Sequence, residues 1–378
     1  MKNAVIAGYV RSPFTPANKG ELAKVRPDEL AAQVIKGLVK KTGVKTEDIE
    51  DLILGCAFPE AEQGMNLARI VGFLAGLPLT LAGTTVNRFC GSSMEAIHMA
   101  AGAIQREAGE VFLCGGVESM TRVPMPGFNM LPHPGLYKSY PQVYISMGLA
   151  AENMARHYQI ARGAQEEFAL ASHQKAAASE TAGNFADEII AIAQNGHKVD
   201  KDGGIRPGTS LEVLANLVPS FDKNGTVTAG TSAPLTDGAA AVLVCSEDYA
   251  KRNELEVLAR IKGTGVAGCA PELMGVGPVG ASRKALDRAG LKLSDMDCIE
   301  LNEAFGVQVL ACMGEMGFSP EQLNLHGGAL ALGHPLGASG ARITGKAASL
   351  LKRQGGKYAL ATMCIGGGQG IATVLEAV

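Results

Sequence analysis

The sequence of 378 residues contains no tryptophan, and aromatic residues make up only 5% of it. It also lacks an excess of one charge, because 34 Lys and Arg residues stand against 37 Asp and Glu residues, for a formal net charge of −3. Neither a nucleic acid nor an acidic membrane surface is therefore expected as the main partner. No run of about 20 apolar residues appears, so no membrane span is expected either.

The N-terminus lacks the pattern of a secretion signal, since the opening segment MKNAVIAG reads as a short strand. The eight cysteines are scattered, and none belongs to a CxxC pair. We therefore expect a cytoplasmic protein with reduced thiols, most of them acting as small buried apolar side chains. No group of His, Cys, Asp or Glu residues has the spacing of metal ligands, so no metal is expected.

What the sequence does have is an apolar fraction of 47% and as many as 48 glycines. A chain of this length exceeds one average domain, which favours a two-lobed globular protein with a large core. Short β-rich runs alternate with helical stretches, a pattern typical of an α/β fold. The predicted strands are 5–10, 52–54, 111–114, 242–245, 299–301, 358–364 and 371–375, and the clearest helices are 27–41 and 338–352.

Two parts of the chain resemble each other. Residues 43–58 align without a gap on residues 290–305, with identical Gly, Lys, Asp, Ala and Phe, and residues 111–120 similarly resemble 361–370. A chance match is one explanation, and a duplicated α/β half is the other. The segment between the copies is rich in Pro, Gly and Met, then helical, then polar, which indicates an insertion that caps one end of the core.

One stretch leads from a β-branched run into a helix through a cysteine. Residues 84–86 are β-branched, and the apolar spacing of residues 94–104 predicts a helix that begins just after Cys90. Unpaired amides and the positive end of the dipole at a helix start stabilise a thiolate, so we expect a lowered pKa and a reactive thiol at Cys90. A buried core cysteine is the alternative interpretation.

A thiol nucleophile needs a base, and His334 has the most suitable surroundings for one. Gly333 and Pro335 predict a turn that holds its imidazole at the head of the next helix. The remaining histidines have positions typical of surface or packing residues: His98, His133, His157, His173, His197 and His326.

Two further segments have the character of a site. Cys364 ends a predicted strand and leads into a glycine run, whose free backbone N–H groups suit an oxyanion hole, although a tight turn explains the run equally well. Asn302 and Glu303 follow another predicted strand and put an amide and a carboxylate at its carboxyl end, where α/β folds place ligands. A turn cap is the alternative there.

Together these segments resemble the thiolases, which are acetyl-CoA C-acyltransferases. The resemblance covers nearly the whole chain, and its motifs occur in the family's order. They are RSPF at 11–14, the block around Cys90, GGVESM at 115–120, MGLAAEN at 147–153, TAG at 228–230, DGAAA at 237–241, NEAF at 302–305, the block around His334, and residues 364–370.

The resemblance implies an α/β, thiolase-like fold of two pseudo-symmetric βαβαβαββ halves with an inserted loop domain. We assign residues 1–118 plus 237–250 to the N-terminal half. Residues 119–236 are assigned to the loop domain, which binds coenzyme A in the family, and residues 251–378 to the C-terminal half.

The resemblance also implies a role for each matching residue. Cys90 becomes acylated and His334 takes its proton, whereas Cys364 protonates or deprotonates the methyl carbon of acetyl-CoA. A Claisen cleavage needs both a covalent acyl acceptor and a proton donor for the departing carbanion. The enolate oxygen is held by His334 and a water that Asn302 fixes, and the acyl carbonyl by the backbone N–H groups of Cys90 and Gly366.

Coenzyme A is implied as a substrate, with no tightly bound cofactor. Arg206 suits its adenine end, because a guanidinium stacks on a base and still meets phosphate. The family's serine contact to pantetheine falls at Ala233, so the neighbouring Ser232 is the candidate replacement. The other pocket residues by resemblance are Met147, Phe221, Met274 and Phe305, and for the two methionines a plain core role is the alternative.

Within the family, two features favour the degradative branch. Ser146 stands where the biosynthetic acetoacetyl-CoA enzymes usually carry a histidine, and residues 90–94 look like the 3-ketoacyl-CoA enzymes. We therefore expect reversible cleavage of 3-ketoacyl-CoA with CoA to acetyl-CoA and a shortened acyl-CoA, as in fatty-acid β-oxidation. An acetoacetyl-CoA thiolase is the alternative.

Other classes of protein fit less well. A ketoacyl synthase should carry a second catalytic histidine in place of Asn302, and a cysteine hydrolase has no use for Cys364. A non-catalytic, lipid-binding thiolase-like protein is expected to lack Cys90, His334 or Cys364, and all three are present. The fold implies a homodimer or homotetramer, and residues 121–141 are a candidate contact for such an assembly or for a partner enzyme of β-oxidation.

Overall fold

Strands and helices alternate along the chain, as predicted for an α/β fold, in a computed structural model that describes residues 2–378. The strands are β1 (Ala4–Arg11), β2 (Thr15–Pro16), β3 (Asp51–Gly55), β4 (Ala82–Val86), β5 (Val111–Ser119), β6 (Ile192–Gln194), β7 (His197–Val199), β8 (Thr236–Ser246), β9 (Ala259–Gly268), β10 (Cys298–Leu301), β11 (Tyr358–Ile365) and β12 (Gln369–Glu376). The helices are α1 (Pro27–Thr42), α2 (Leu67–Leu74), α3 (Ser92–Gln105), α4 (Pro134–Ser139), α5 (Met147–His157), α6 (Arg162–Thr181), α7 (Leu211–Ala215), α8 (Glu247–Arg252), α9 (Gly277–Ala289), α10 (Gly306–Met316), α11 (Ala329–Leu332) and α12 (Leu336–Gln354).

Every strand and helix predicted from the sequence lies within an observed element of the same type. Strand β9 is the main element that the sequence pattern misses. Its 10 residues, ARIKGTGVAG, include three glycines, which dilute the β-branched signal of a strand. Its alternating burial nevertheless shows one face of the strand turned to the core.

One large sheet organises the molecule, in the order β10-β11-β12-β9-β1-β8-β5-β3-β4. Strands β1 and β9 pair antiparallel in its middle and join two halves. From this junction outwards, the N-terminal half runs β1-β8-β5-β3-β4 and the C-terminal half runs β9-β12-β11-β10. The pairings match in direction, because β3–β5 and β10–β11 are parallel whereas β5–β8 and β11–β12 are antiparallel. The topology is therefore that of a duplicated unit.

The repeat seen in the sequence falls at equivalent places in the two halves. Helices α1 and α9 both end at a left-handed glycine, Gly43 at φ 67° and Gly290 at φ 68°, a conformation that costs glycine little. Each glycine leads through a short turn into β3 or β10, so duplication explains the similarity better than chance. The counterpart of β4 is reduced to one parallel bridge, between Ile299 and Leu323.

The second proposed similarity, between residues 111–120 and 361–370, has the wrong register. Asp51 pairs with Phe112 in the first half, and Cys298, its counterpart in the repeat, pairs with Ala359 in the second. Phe112 therefore corresponds to Ala359, and the two segments are out of step by about three residues. The sheet register decides this because a strand pair fixes which residues are neighbours, whereas Gly-rich sequences align in several ways.

The two halves enclose a central helical layer. Helices α1 and α2 cover the outer face of the N-terminal half, and α9 and α10 cover that of the C-terminal half. Helices α3 and α12 share one apolar core with the inner faces of both halves. The two helices are also joined directly, because the backbone N–H of Ala341 donates to Ser93 Oγ at 2.8 Å. Residues placed just before these helices consequently meet at the centre of the molecule.

Candidate active site

Cys90 lies between β4 and α3, directly before Gly91, the N-cap of that helix. The chain turns sharply there, since Phe89 adopts a positive φ of 43°, a strained conformation for a bulky residue. The predicted position of Cys90 at a helix start is thus observed. The turn directs the residue towards an apolar cluster that contains Ala57, Met120 and Leu336.

The predicted lowering of the Cys90 pKa is wrong. Burial raises the pKa of this thiol to about 11, although the backbone N–H groups of Gly366 and of Cys90 itself act in the opposite direction. The charge of Glu118 raises it further. Desolvation disfavours a thiolate more than the helix start favours it. Cys90 is therefore a protonated thiol at neutral pH, and it needs a base to react.

His334 lies in the loop between α11 and α12, where Gly333 has φ 104° and a Cβ at that position would meet Thr236 at 2.6 Å. The Thr236 hydroxyl oxygen accepts the backbone N–H of His334 at 3.0 Å. Ser339 Oγ donates to Pro335 O at 3.0 Å and contacts His334 Nδ1 at 2.5 Å. Because its proton is directed to Pro335, the serine accepts the Nδ1–H, which leaves Nε2 as the basic nitrogen.

The imidazole of His334 is kept neutral. It is only 6% exposed, and burial lowers its pKa to about 3, with a further lowering by the charge of Arg342. Asn302 Nδ2 donates to Nε2 over a long 3.4 Å. Neutral imidazole with an unprotonated Nε2, whose only hydrogen bond within the described residues is this long one, is the form that accepts a proton.

Asn302 and Glu303 separate into different roles at the end of β10. Asn302 is fully buried beside His334, and its side-chain oxygen has no hydrogen-bond partner within residues 2–378, so that oxygen is free to hold a water molecule. Glu303 instead accepts hydrogen bonds from Ser172 Oγ, Asn324 Nδ2 and Leu330 N at 2.7, 2.8 and 3.1 Å. Its carboxylate fastens α6 and α11 together, so the prediction of a carboxylate in the ligand cleft is wrong for Glu303.

Cys364, near the end of β11, is 2% exposed and close to Cys90. Burial raises the pKa of the Cys364 thiol well above its usual range, and the Cys90 thiol makes the largest further contribution. Gly366 follows two residues later, and its N–H is directed at the Cys90 sulfur. The structure thus groups Cys90 with Cys364 and Gly366, and His334 with Asn302, although more than 270 residues separate the extremes. The backbone N–H of Asn302 donates to Thr362 O at 3.1 Å, two residues before Cys364, which places the two groups side by side.

Most of the candidate residues for binding coenzyme A pack near Cys364. Met147, Met274 and Phe305 share one apolar cluster with Cys364, and Phe221 packs edge-on against Phe305 with ring centroids 6.0 Å apart. Phe221 is 41% exposed, so this cluster reaches the surface.

Two other candidate residues for binding coenzyme A, Ser232 and Arg206, do not belong to this apolar cluster. Ser232 forms a backbone bridge with Phe305, but its hydroxyl donates to Thr228 O at 2.8 Å. Arg206 is exposed on the loop between β7 and α7, outside the apolar cluster, and its backbone N–H donates to His173 Nδ1. Ser146, the residue that distinguishes the two thiolase branches, caps α5 by accepting the Leu149 N–H at 3.4 Å.

Two residues that support the site were not singled out from the sequence. Ser339 orients His334, as described above, and no local pattern distinguishes it from other helix serines. Glu118 accepts the backbone N–H groups of Ala57 and Gly337, both at 2.8 Å, and thereby ties the loop after β3 to the start of α12. Its place in the GGVESM motif was the only available signal.

The described residues contain no group of three or more His, Cys, Asp or Glu side chains arranged to hold a metal ion. All eight cysteines are free. None of the helices within residues 2–378 is long and apolar enough to cross a membrane.

Two matched α/β halves, with two neighbouring thiols and a histidine–asparagine contact in the segments beside their shared helical layer, define a thiolase-type fold. The chain belongs to the thiolase family. The family model for the thiolase N-terminal domain matches residues 4–248, and that for the thiolase C-terminal domain matches residues 255–377.

Similar proteins extend the match over the full length. The 3-ketoacyl-CoA thiolases of Shewanella loihica and Bacillus subtilis are 49% and 43% identical to the chain, with 100% of both partners covered in each case. The crystal structure of human mitochondrial 3-ketoacyl-CoA thiolase superimposes with a TM-score of 0.91 at 38% identity, covering 100% of this chain and 99% of that one. The predicted family and fold are thereby confirmed, while the domain boundaries at 118, 237 and 250 stay a prediction.

Proposed function

We propose that this thiolase cleaves 3-ketoacyl-CoA with CoA to give acetyl-CoA and a shortened acyl-CoA, through an acyl group carried on Cys90. The proximity of two thiols, Cys90 and Cys364, each packed against a different apolar cluster, is the observation that carries the proposal. Relatives named 3-ketoacyl-CoA thiolase at 43–49% identity support it. Coenzyme A is then a substrate, and no tightly bound cofactor is required.

In the first half-reaction, His334 Nε2 accepts the Cys90 proton as the sulfur attacks the 3-keto carbon. The bond between C2 and C3 then breaks, and its electron pair passes to C2 as the enolate of acetyl-CoA. Cys364 donates its proton to C2, which releases acetyl-CoA. The high pKa of the Cys364 thiol suits this step, because a protonated thiol is needed as the acid.

In the second half-reaction, the Cys364 thiolate takes the proton of the incoming CoA thiol. The CoA sulfur attacks the acyl carbon on Cys90, and the Cys90 sulfur leaves and recovers its proton from His334. The N–H groups of Gly366 and Cys90 suit the developing oxyanion of the acyl group. In the first half-reaction, by contrast, His334 donates its Nε2 proton in a hydrogen bond to the enolate oxygen, together with a water held by Asn302.

A thiolysis assay tests the function. Purified protein is given CoA and 3-ketoacyl-CoA substrates of about four to sixteen carbons, and loss of the 3-keto absorbance is followed, since added methylenes alter kcat/KM measurably. Higher kcat/KM on the substrates longer than acetoacetyl-CoA is expected. Activity confined to acetoacetyl-CoA would assign the biosynthetic reaction instead, and no activity at any length would refute a thiolase reaction.

Substituting Asn302 by aspartate should slow the carbon–carbon step. A carboxylate of the same shape places negative charge beside the developing enolate oxygen, so kcat is expected to fall by about 100-fold or more, the usual effect of losing an oxyanion donor. The exposed Asn216 provides the control, because Asn216→Asp adds the same charge in a side chain at the end of α7 whose only hydrogen bond within residues 2–378 is to Glu212 O, and it should leave kcat unchanged. A wild-type kcat in Asn302→Asp would remove Asn302 from the mechanism.

Three further features remain proposals. We infer a cytoplasmic location, a homodimer or homotetramer, and an association with another β-oxidation enzyme through residues 121–141. The exposed apolar side chains of Phe128, Met130 and Leu131, which are 55%, 58% and 91% exposed, support a contact at that segment.

A further inference from the structure

A buried ion pair lies behind the candidate active site. Arg342 Nη1 donates to Glu300 Oε2 at 3.0 Å, and their side chains are 2% and 0% exposed. The pair is not fully satisfied, because Arg342 Nε, Arg342 Nη2 and Glu300 Oε1 have no hydrogen-bond partner in the part of the chain that the structure describes. Burying two charges costs about as much free energy as their attraction returns, so stability alone is a weak reason for this pair.

The two members of the pair belong to the elements that carry His334 and Asn302. Arg342 lies on α12 three residues after Ser339, and therefore on the same helix face as the serine that orients His334. Glu300 lies on β10 two residues before Asn302, and residues two apart point to the same side of a strand. The ion pair is thus a direct bridge between the helix behind one site residue and the strand before the other.

The charge of Arg342 also changes the pKa of a residue of the candidate active site. The charge of Arg342 lowers the pKa of His334, and it also acts on Tyr9 and Glu303, so the guanidinium lies among these groups. Lys346, one turn further along α12, pairs with Glu188 at 2.7 Å, and Glu188 also pairs with Arg11. Lys346 and Glu188 also act on Glu300, and burial raises the pKa of Glu300 to about 7 although the charge of Arg342 lowers it. Glu300 is nevertheless the carboxylate that bonds to Arg342.

We propose that Arg342 and Glu300 are positioning residues, whose buried ion pair holds His334 and Asn302 at the separation that the reaction needs. Neither residue touches the reacting atoms. The inference rests on the proposed function of that site. The proposal requires that removal of the Arg342–Glu300 ion pair makes His334 less able to accept the Cys90 proton, even when the protein remains folded.

The test replaces the pair by apolar side chains of similar size, Arg342→Met with Glu300→Leu, because such exchanges are commonly neutral for stability. Alkylation of Cys90 by iodoacetamide is measured by peptide mass spectrometry at pH values from about 6 to 9, with His334→Ala as the reference for complete loss of the base. Thermal unfolding, kcat and KM are measured on the same proteins. Lys346→Met is the matched control, since it removes a buried cation from the same helix that is not bonded to β10.

At neutral pH, alkylation of Cys90 in the double variant is expected to fall about tenfold or more towards the His334→Ala value, with a similar loss in kcat and little change in KM. Lys346→Met should alkylate and turn over like the wild type. A folded double variant with wild-type alkylation would overturn the proposal, as would a His334→Ala protein that alkylates normally.

Two arrangements keep the experiment decisive. If the double variant does not fold, Arg342→Lys takes its place: it keeps the buried charge but loses the planar donor geometry, and wild-type alkylation there would overturn the proposal. Alkylation needs no acyl-CoA, so the two proposals fail separately. One outcome would refute the proposed function alone: the protein shows no thiolysis, but alkylation of Cys90 still falls in the double variant. The positioning role of Arg342 and Glu300 would then still be supported.

Discussion

Substituting Cys90 by serine is expected to abolish formation of an acyl-enzyme and to lower thiolysis by about 10,000-fold or more. A serine hydroxyl is a far weaker nucleophile than a thiol, and its higher pKa makes proton transfer to His334 less favourable. The change removes no volume of consequence, so the protein should fold normally. Incubation with an acyl-CoA that is radiolabelled in its acyl group, followed by denaturation and counting of the protein, measures the intermediate.

A matched control separates the reaction from folding. Cys245 is a fully buried thiol in β8 that packs in the core of the N-terminal half, and Cys245→Ala should acylate and turn over like the wild type. Label bound covalently to the Cys90→Ser protein would show that the nucleophile lies elsewhere.

Substituting Cys364 by alanine is expected to divide the reaction into its two halves. Cys90 should still take an acyl group from an ordinary acyl-CoA, more slowly than in the wild type, because the CoA thiolate is a good leaving group that can depart without the proton of Cys364. Cleavage of 3-ketoacyl-CoA should fall by about 1,000-fold, since the departing carbanion loses its proton donor and general acids commonly contribute 100-fold to 10,000-fold. Labelled acylation and thiolysis are measured on the same preparation.

The outcome is informative in both directions. Retained acylation with lost cleavage assigns Cys364 to the proton at C2. Normal cleavage by Cys364→Ala would contradict this role, and loss of both steps would mean that the substitution disturbs the neighbouring Cys90. Cys245→Ala again supplies the control for removing a buried thiol.

The environment of Cys90 changes how its reactivity has to be understood. The sequence places the thiol at a helix start, where a lowered pKa is the usual consequence. In the folded protein burial outweighs this effect and raises the pKa of Cys90 to about 11, so the thiol is activated only when a base accepts its proton. The neutral His334, with its unprotonated Nε2, is suited to this. The geometry around the histidine is therefore more important than the helix dipole.

The duplicated fold explains why these residues meet. Cys90 precedes α3 and His334 precedes α12, and the two helices occupy corresponding positions in the central layer. Each half therefore presents one loop to the same central pocket. The equivalent loops have diverged, since one ends in a thiol and the other in an imidazole supported by Ser339.

The outcome for Glu303 illustrates the limit of reading a motif. Asn302 and Glu303 are neighbours at the end of the same strand, and the sequence offers no reason to distinguish them as ligands. Side chains of successive residues point in opposite directions, so Asn302 faces His334 while Glu303 bonds to Ser172 and Asn324. Only the partners on α6 and on the loop before α11 reveal which of the two faces the pocket.

By itself, the sequence determined the α/β class, the family, and the candidates Cys90, His334, Asn302, Cys364 and Gly366, whereas the duplication it suggested was decided by the sheet topology. These depend on periodicity, turn residues and motifs, which are expressed within a few neighbouring residues. Tertiary structure alone decided the protonated state of Cys90, the tautomer of His334, the structural role of Glu303 and the pairing of Arg342 with Glu300. Burial and charge interactions depend on residues brought together from distant parts of the chain, and no local pattern records which of them will meet.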